Sequence, residues 1–185
     1  MVGKSVIGVL SRRILPDTFE YKNNVILLFI HFSSKAQTMK TMQELSDRVA
    51  LKELVDIFSI LADKKDVHAQ VQLFTENATS ETIINGASVS KLNGRKELED
   101  AFGNFLKNFE TVYHFNGQQT VTVTGDKASG TSYCMVTLIG IENGKKMKTS
   151  IGVIYQDEFV RINDHWLIAK RKANFDWQEK SPFGQ

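Results

Sequence analysis

A chain of 185 residues has room for one domain of about 150 residues and an appendage. Hydrophobic residues make up 42% and charged residues 24%, which excludes wholesale disorder. The formal net charge of +2 gives no electrostatic ground for binding nucleic acid. The single cysteine, Cys134, excludes an intrachain disulfide and a multi-cysteine zinc site.

Residues 1–40 differ in pattern from the rest and read as an N-terminal extension. Their main feature is the apolar run from Val25 to Phe32. A membrane-spanning helix needs about 20 such residues, so no stable span is expected. Lys22 before the run and Ser34-Lys-Ala36 after it fit a secretory signal over 22–36, with export to the periplasm or beyond. The other reading is a buried strand or a loose terminus on a cytoplasmic protein.

From Leu45 an amphipathic helix is predicted. Leu45, Val49, Leu51, Leu54, Val55, Phe58, Leu61 and Ala62 form its apolar face, with Asp47 and Glu53 near polar positions. It ends near Asp63-Lys-Lys. Asp66 caps a short second helix with Val67, Val71 and Phe74 inward. An irregular stretch follows, punctuated by Asn85-Gly86 and Asn93-Gly94, with a short strand at Thr82–Ile84. A third helix covers about Arg95–Phe109, buried along Leu98, Phe102, Phe105, Leu106 and Phe109. After Glu110 the period falls from 3.6 to 2. Strands alternate through Thr120–Thr124, Ser129–Leu138, Met147–Ile162 and His165 to about Asn174, separated by Gly125-Asp126, Asn143-Gly144 and Asn163-Asp164. Residues 41–178 therefore form the domain and 179–185 a tail. The fold class is α+β, with three helices segregated to one face of a long-stranded antiparallel sheet.

The order and spacing of several short pieces resemble the SnoaL-like branch of the nuclear-transport-factor-2-like superfamily. These are Asp47–Leu54, Ala62–Asp66, Leu73–Ala78, Asn93-Gly-Arg95, Tyr113-His114, Thr124–Ala128, Tyr155-Gln-Asp157, His165–Ile168 and Phe175-Asp-Trp177. The resemblance implies a cone-shaped roll of cystatin type, its curved, mixed sheet wrapped over the helices around a small-molecule cavity. Within the branch the chain looks most like scytalone dehydratase-like proteins. That likeness implies cofactor-free dehydration, isomerisation or cyclisation, with an acidic residue at the end of the first helix and a histidine before the first long strand. Asp63 and His114 fall on those positions. A second histidine of those enzymes has no counterpart in Met135–Leu138, and Ala62 stands where a tyrosine is expected.

The residue chemistry is compatible. An imidazole exchanges protons near neutral pH, and a carboxylate on one ring nitrogen fixes its tautomer. The alternative is that Asp63 ends a helix and His114 is a satisfied wall residue. Tyr113, Tyr133 and Tyr155 are candidate substrate-binding donors to a carbonyl or enolate oxygen, or else packed aromatics. Met135 shares the strand face of Tyr133, read as cavity lining. Asp157, two residues from Tyr155, is either a second cavity carboxylate or the ion-pair partner of Arg171 on the neighbouring strand. His68 and His165 read as surface residues. No metal spacing, phosphate loop, nucleophile elbow or dinucleotide fingerprint appears, so neither metal nor cofactor is expected. The expected partners are a small-molecule ligand and a second copy of the chain, pairing through the exposed sheet face. The functional readings are an acid–base enzyme, a non-catalytic binding module, and a structural dimer.

Overall fold

The computed structural model describes residues 42–184; the extension 1–40, its apolar run and its cleavage pattern lie outside them. Helix α1 (Met42–Asp63) follows a helical repeat of buried positions: Asp47, Leu51, Leu54, Val55, Phe58 and Ala62. It ends in a Schellman turn. The Asp66 N–H donates to the Leu61 carbonyl and the Lys65 N–H to the Ala62 carbonyl, with Lys65 at φ 57°. Asp66 then accepts from the Ala69 N–H and starts α2 (Val67–Gln72). The same reversal leaves Asp63 in the last turn of α1, facing the sheet.

Two strands follow, β1 (Phe74–Ile84) and β2 (Ala87–Asn93), joined by Asn85-Gly86 with both residues at positive φ. Helix α3 (Gly94–Leu106) is tied to this hairpin by Arg95, whose guanidinium donates to the Phe74 carbonyl and to Gln72 Oε1. Four long strands complete the chain: β3 (Thr111–Thr124), β4 (Lys127–Glu142), β5 (Lys145–Ile162) and β6 (His165–Pro182). Asn143-Gly144 and Asn163-Asp164 hold the positive φ values that two-residue hairpin turns require.

The six strands form one sheet in the order β2-β1-β6-β5-β4-β3. All neighbours are antiparallel except β1 and β6, so the sheet is mixed. Its inner face packs on the helices in two clusters. One gathers Leu51, Leu54, Val55, Phe58, Val71, Phe74, Leu98, Phe159 and Ile168. The other gathers Ala62, Leu106, Val112, Val136, Leu138, Ile151, Val153 and Tyr155. Among the described residues no helix is long and apolar enough to cross a membrane.

Four expectations need correction. The irregular stretch after α2 is a full hairpin, and Phe74 opens its first strand instead of closing a helix. In α1, Leu45 and Val49 are exposed while Asp47 is buried, because Trp166 Nε1 and the Arg161 guanidinium donate to its carboxylate at 3.1 and 2.8–2.9 Å. Phe105 is half exposed, because the buried face of α3 runs through Leu98 and Leu106. The residues read as a tail from 179 are strand as far as Pro182, because the start of β5, Met147–Ser150, pairs with Glu179, Lys180, Ser181 and Pro182.

Candidate functional site

Between the inner face of the sheet and the helices lies a cavity of about 320 Å³. Its walls are mostly apolar, built from Phe58 of α1, Phe102, Phe105 and Leu106 of α3, and Val136, Leu138, Ile151 and Val153 of the sheet. Four polar side chains reach it that bear on chemistry: His114, Tyr155, Arg171 and Gln70.

Asp63 and His114 are in contact. His114 Nδ1 lies 2.7 Å from Asp63 Oδ1, and the backbone N–H of His114 donates to both carboxylate oxygens at 3.0 and 3.2 Å. A carboxylate at a helix C-terminus faces the negative end of the helix dipole, so these donors offset a local penalty. A carboxylate at Nδ1 accepts, so in the neutral imidazole the ring proton sits on Nδ1 and Nε2 carries the lone pair. His114 is only 8% exposed while its ring lines the cavity, and Asp63 behind it is 25% exposed. A second polar clamp holds β3 against α1: Asn116 Nδ2 donates to Asp56 and to the Val55 carbonyl, and Ser59 Oγ donates to Asn116 Oδ1.

The strand parity that turns His114 inward turns its neighbours outward. Tyr113, Tyr133 and Met135 are 57%, 50% and 41% exposed, on the outer face of the sheet. Of the two readings of these tyrosines, and for the lining role of Met135, the cavity position does not hold: none of the three lines the cavity. Tyr133 and Met135 instead border an outer groove with Phe115 and Trp177. On β4 the residues facing the cavity are Val136 and Leu138, and Val136 is the direct partner of His114. The strand carries apolar side chains on both faces, so alternation alone did not mark the inner one.

Tyr155 does lie inside. Burial pushes its phenol well above the ordinary range, so it is a neutral hydroxyl at physiological pH. Asp157 is buried too, as the partner of Arg171: Nε and Nη2 donate to its two oxygens at 2.8 Å each. The residues are cross-strand neighbours in β5 and β6. Of the two readings of Asp157, the ion pair holds, and Asp157 itself is not among the cavity-lining residues.

Arg171 is the residue the sequence reading underrated. Its guanidinium sits 4.2 Å from the Phe58 ring centroid and 4.3 Å from that of Tyr155. Burial works against its charge, but the charge and hydrogen bonds of Asp157 prevail and hold its pKa above the ordinary value. Its Nη1 has no protein partner. The available signal was its position two residues before Ala173, which also lines the cavity. Gln70 of α2 is the other missed residue, three positions after Val67 on the helix. Among the described residues no cluster of His, Cys, Asp and Glu is arranged to hold a metal ion.

A curved mixed sheet closed over helices, with an apolar cavity reaching an Asp–His pair, defines an α+β roll of the nuclear-transport-factor-2-like kind. The SnoaL-like domain family matches residues 43–172, most of the chain, and the chain belongs to that family. Similar solved structures include hexachlorocyclohexane dehydrochlorinase LinA-type3 from Novosphingobium barchaimii. It has 18% identity and a TM-score of 0.64, over 78% of this chain and 95% of that one. A scytalone dehydratase-like protein from Novosphingobium aromaticivorans has 14% identity and a TM-score of 0.65, over 79% and 93%. The uncharacterised protein Rv2910c of Mycobacterium tuberculosis is 26% identical over 136 residues, 73% of this chain and 89% of its own length. At these identities the structural likeness speaks for the fold.

Proposed function

We propose that the protein is a cofactor-free acid–base catalyst acting on a small, largely apolar or cyclic molecule held in the inner cavity. The reaction class is proton abstraction from carbon with elimination or isomerisation. The observation that carries this reading is the 2.7 Å contact between Asp63 and His114 Nδ1, with the rest of the imidazole at the cavity wall. Nε2 takes the proton, and the C–H electron pair forms the new double bond. In a dehydration the hydroxyl leaves with its own electron pair and recovers a proton from the imidazolium, so the histidine returns neutral. In an isomerisation the same proton returns to a different carbon. Asp63 orients the ring and stabilises its transient positive charge, and the neutral Tyr155 hydroxyl and Arg171 are the donors available to a developing oxyanion.

A panel of cyclic β-hydroxy ketones and halogenated cyclohexanes, assayed by mass spectrometry for loss of water or hydrogen halide, tests this. Turnover should fall by about 10²–10⁴ in His114→Asn, the usual worth of general acid–base help. Asp63→Asn should lower kcat with little change in ligand affinity. Turnover that survives His114→Asn would sink the reading.

A second reading is a binding module of the same fold. It is favoured by Val136, which occupies the strand position directly beside His114 where a second proton-transfer group could stand. Under either reading we take the apolar outer face, with Tyr113, Phe115, Tyr133, Met135 and Trp177 exposed, as the surface of a homodimer. Tyr133→Glu should then shift sedimentation from dimer to monomer.

A further inference from the structure

Two residues that line the cavity each carry a buried polar atom without a partner in the protein, Nη1 of Arg171 and Oε1 of Gln70. The second bears on what the cavity selects. Gln70 is 2% exposed and lines the cavity from α2. Its amide orientation is fixed, because Nε2 donates to the Phe58 carbonyl at 3.2 Å and an oxygen there would meet another acceptor. Oε1 is therefore committed to the other direction, as a buried acceptor without a donor. Buried polar groups are satisfied in the great majority of native structures, so such an atom needs an explanation. A buried acceptor left unmet in a largely apolar cavity penalises any occupant that cannot donate to it.

We infer that Gln70 is a specificity-determining residue: its Oε1 accepts a hydrogen bond from a hydroxyl or N–H of the ligand. The cavity thus selects small ring compounds that carry a donor over isosteric ones that carry none. This rests on the reading of the cavity as a ligand site. It adds a requirement that proton transfer at His114 does not impose, since Nε2 can take a proton from a C–H bond of a ring that carries no hydroxyl or N–H donor. The two unpartnered atoms also ask for different things, because Arg171 Nη1 can only donate and Gln70 Oε1 can only accept.

Calorimetric titration of the wild-type protein with four probes of similar size separates them. 2-Naphthol donates and accepts, 2-naphthylamine chiefly donates, 2-methoxynaphthalene only accepts, and 2-fluoronaphthalene does essentially neither. The two donors should bind roughly tenfold or more tighter than the other two, the scale set by leaving a buried acceptor unpaired. In Gln70→Met the ranking should collapse towards equality. Because that change also removes the bond to the Phe58 carbonyl, a readout on wild-type protein accompanies it. The ¹³C shift of the Gln70 side-chain carbonyl should move on binding 2-naphthol and stay in place with 2-methoxynaphthalene. Equal affinities would overturn the inference, as when a resident water already satisfies Oε1. A preference following the acceptor oxygen would assign the selection to Arg171, and one persisting in Gln70→Met would assign it to another acceptor; both overturn it. Failure of all four probes to bind would remove the cavity as a ring-sized ligand site and the proposed function with it, whereas binding without a donor preference overturns this inference alone.

Discussion

Asp157→Asn isolates the cost of a buried charge in this fold. The substitution keeps the shape of the side chain and removes the charge that faces Arg171. Both partners are almost wholly buried, at 2% and 1% exposure, and joined by two 2.8 Å hydrogen bonds. Breaking such a pair from one side costs about 3–5 kcal/mol, because the guanidinium stays behind in a site built for its neutralised form. Its stacking against Phe58 and Tyr155 leaves it little freedom to withdraw to solvent. Each kcal/mol corresponds to about 2–4 °C in a domain of this size, so melting should fall by roughly 6–20 °C. Urea unfolding followed by circular dichroism gives the free energy directly. Replacing both partners, Asp157→Leu with Arg171→Met, should recover most of the loss, since a packed apolar pair of similar volume is often neutral or better. A loss below about 1 kcal/mol for Asp157→Asn, or a double variant less stable than the single one, would refute the reasoning.

Three further outcomes are expected. Burial acts to raise the pKa of Asp47, but hydrogen bonds from Arg161, Trp166 and Gln43 outweigh it and hold the carboxyl below its ordinary value. A group depressed in the folded state stabilises above its unfolded pKa and loses that contribution as pH falls, so Asp47→Asn should lower stability at pH 7 and flatten the loss below about pH 4, in denaturant titrations across pH. Burial pushes the Cys134 thiol up to about 12, so the native protein should resist thiol reagents at pH 8 and react at once in denaturant; rapid native labelling would contradict its placement. At Gly140 an added methyl would stand 2.8 Å from the Asn108 carbonyl oxygen and 3.3 Å from the Phe109 ring. Gly140→Ala should therefore cost about 1–3 kcal/mol by thermal melting, since backbone can yield only by shifting the α3–β3 connection.

The parts of the fold legible in the sequence were those encoded locally. The change of period after Glu110 marked the long strands, and Asn143-Gly144 and Asn163-Asp164 marked their turns through the positive φ values observed. Asp63 and His114 were legible only through the family pattern, because 51 residues separate them and nothing local joins them. Asp47 reads as a surface carboxylate because the groups that neutralise it, Arg161 and Trp166, lie 114 and 119 residues further on. Strand β1 was hidden by composition: Thr75, Glu76, Asn77, Thr79 and Ser80 form no apolar alternation, and the strand is held by pairing on both edges. The misplacement of Tyr113, Tyr133 and Met135 came from strands with two apolar faces. Once His114 is known to point inward, parity alone sends Tyr113 and Phe115 out.

The parallel pairing of β1 with β6 has a consequence for the order of events at the ribosome. Strand β6 does not add to an edge; it fills the middle of the sheet, between β1 and β5. Strand β1 is complete at Ile84, yet its inner neighbour is complete only at Pro182. At roughly 5–20 residues per second, the β1–β2 hairpin waits on the order of 5–20 s with an open edge while β5 acquires one of its own. Unpaired edges of this kind invite pairing with other chains. The nascent chain is thus most vulnerable just before β6 emerges, and a premature stop before His165 leaves a two-stranded and a three-stranded piece instead of trimming the border of the sheet.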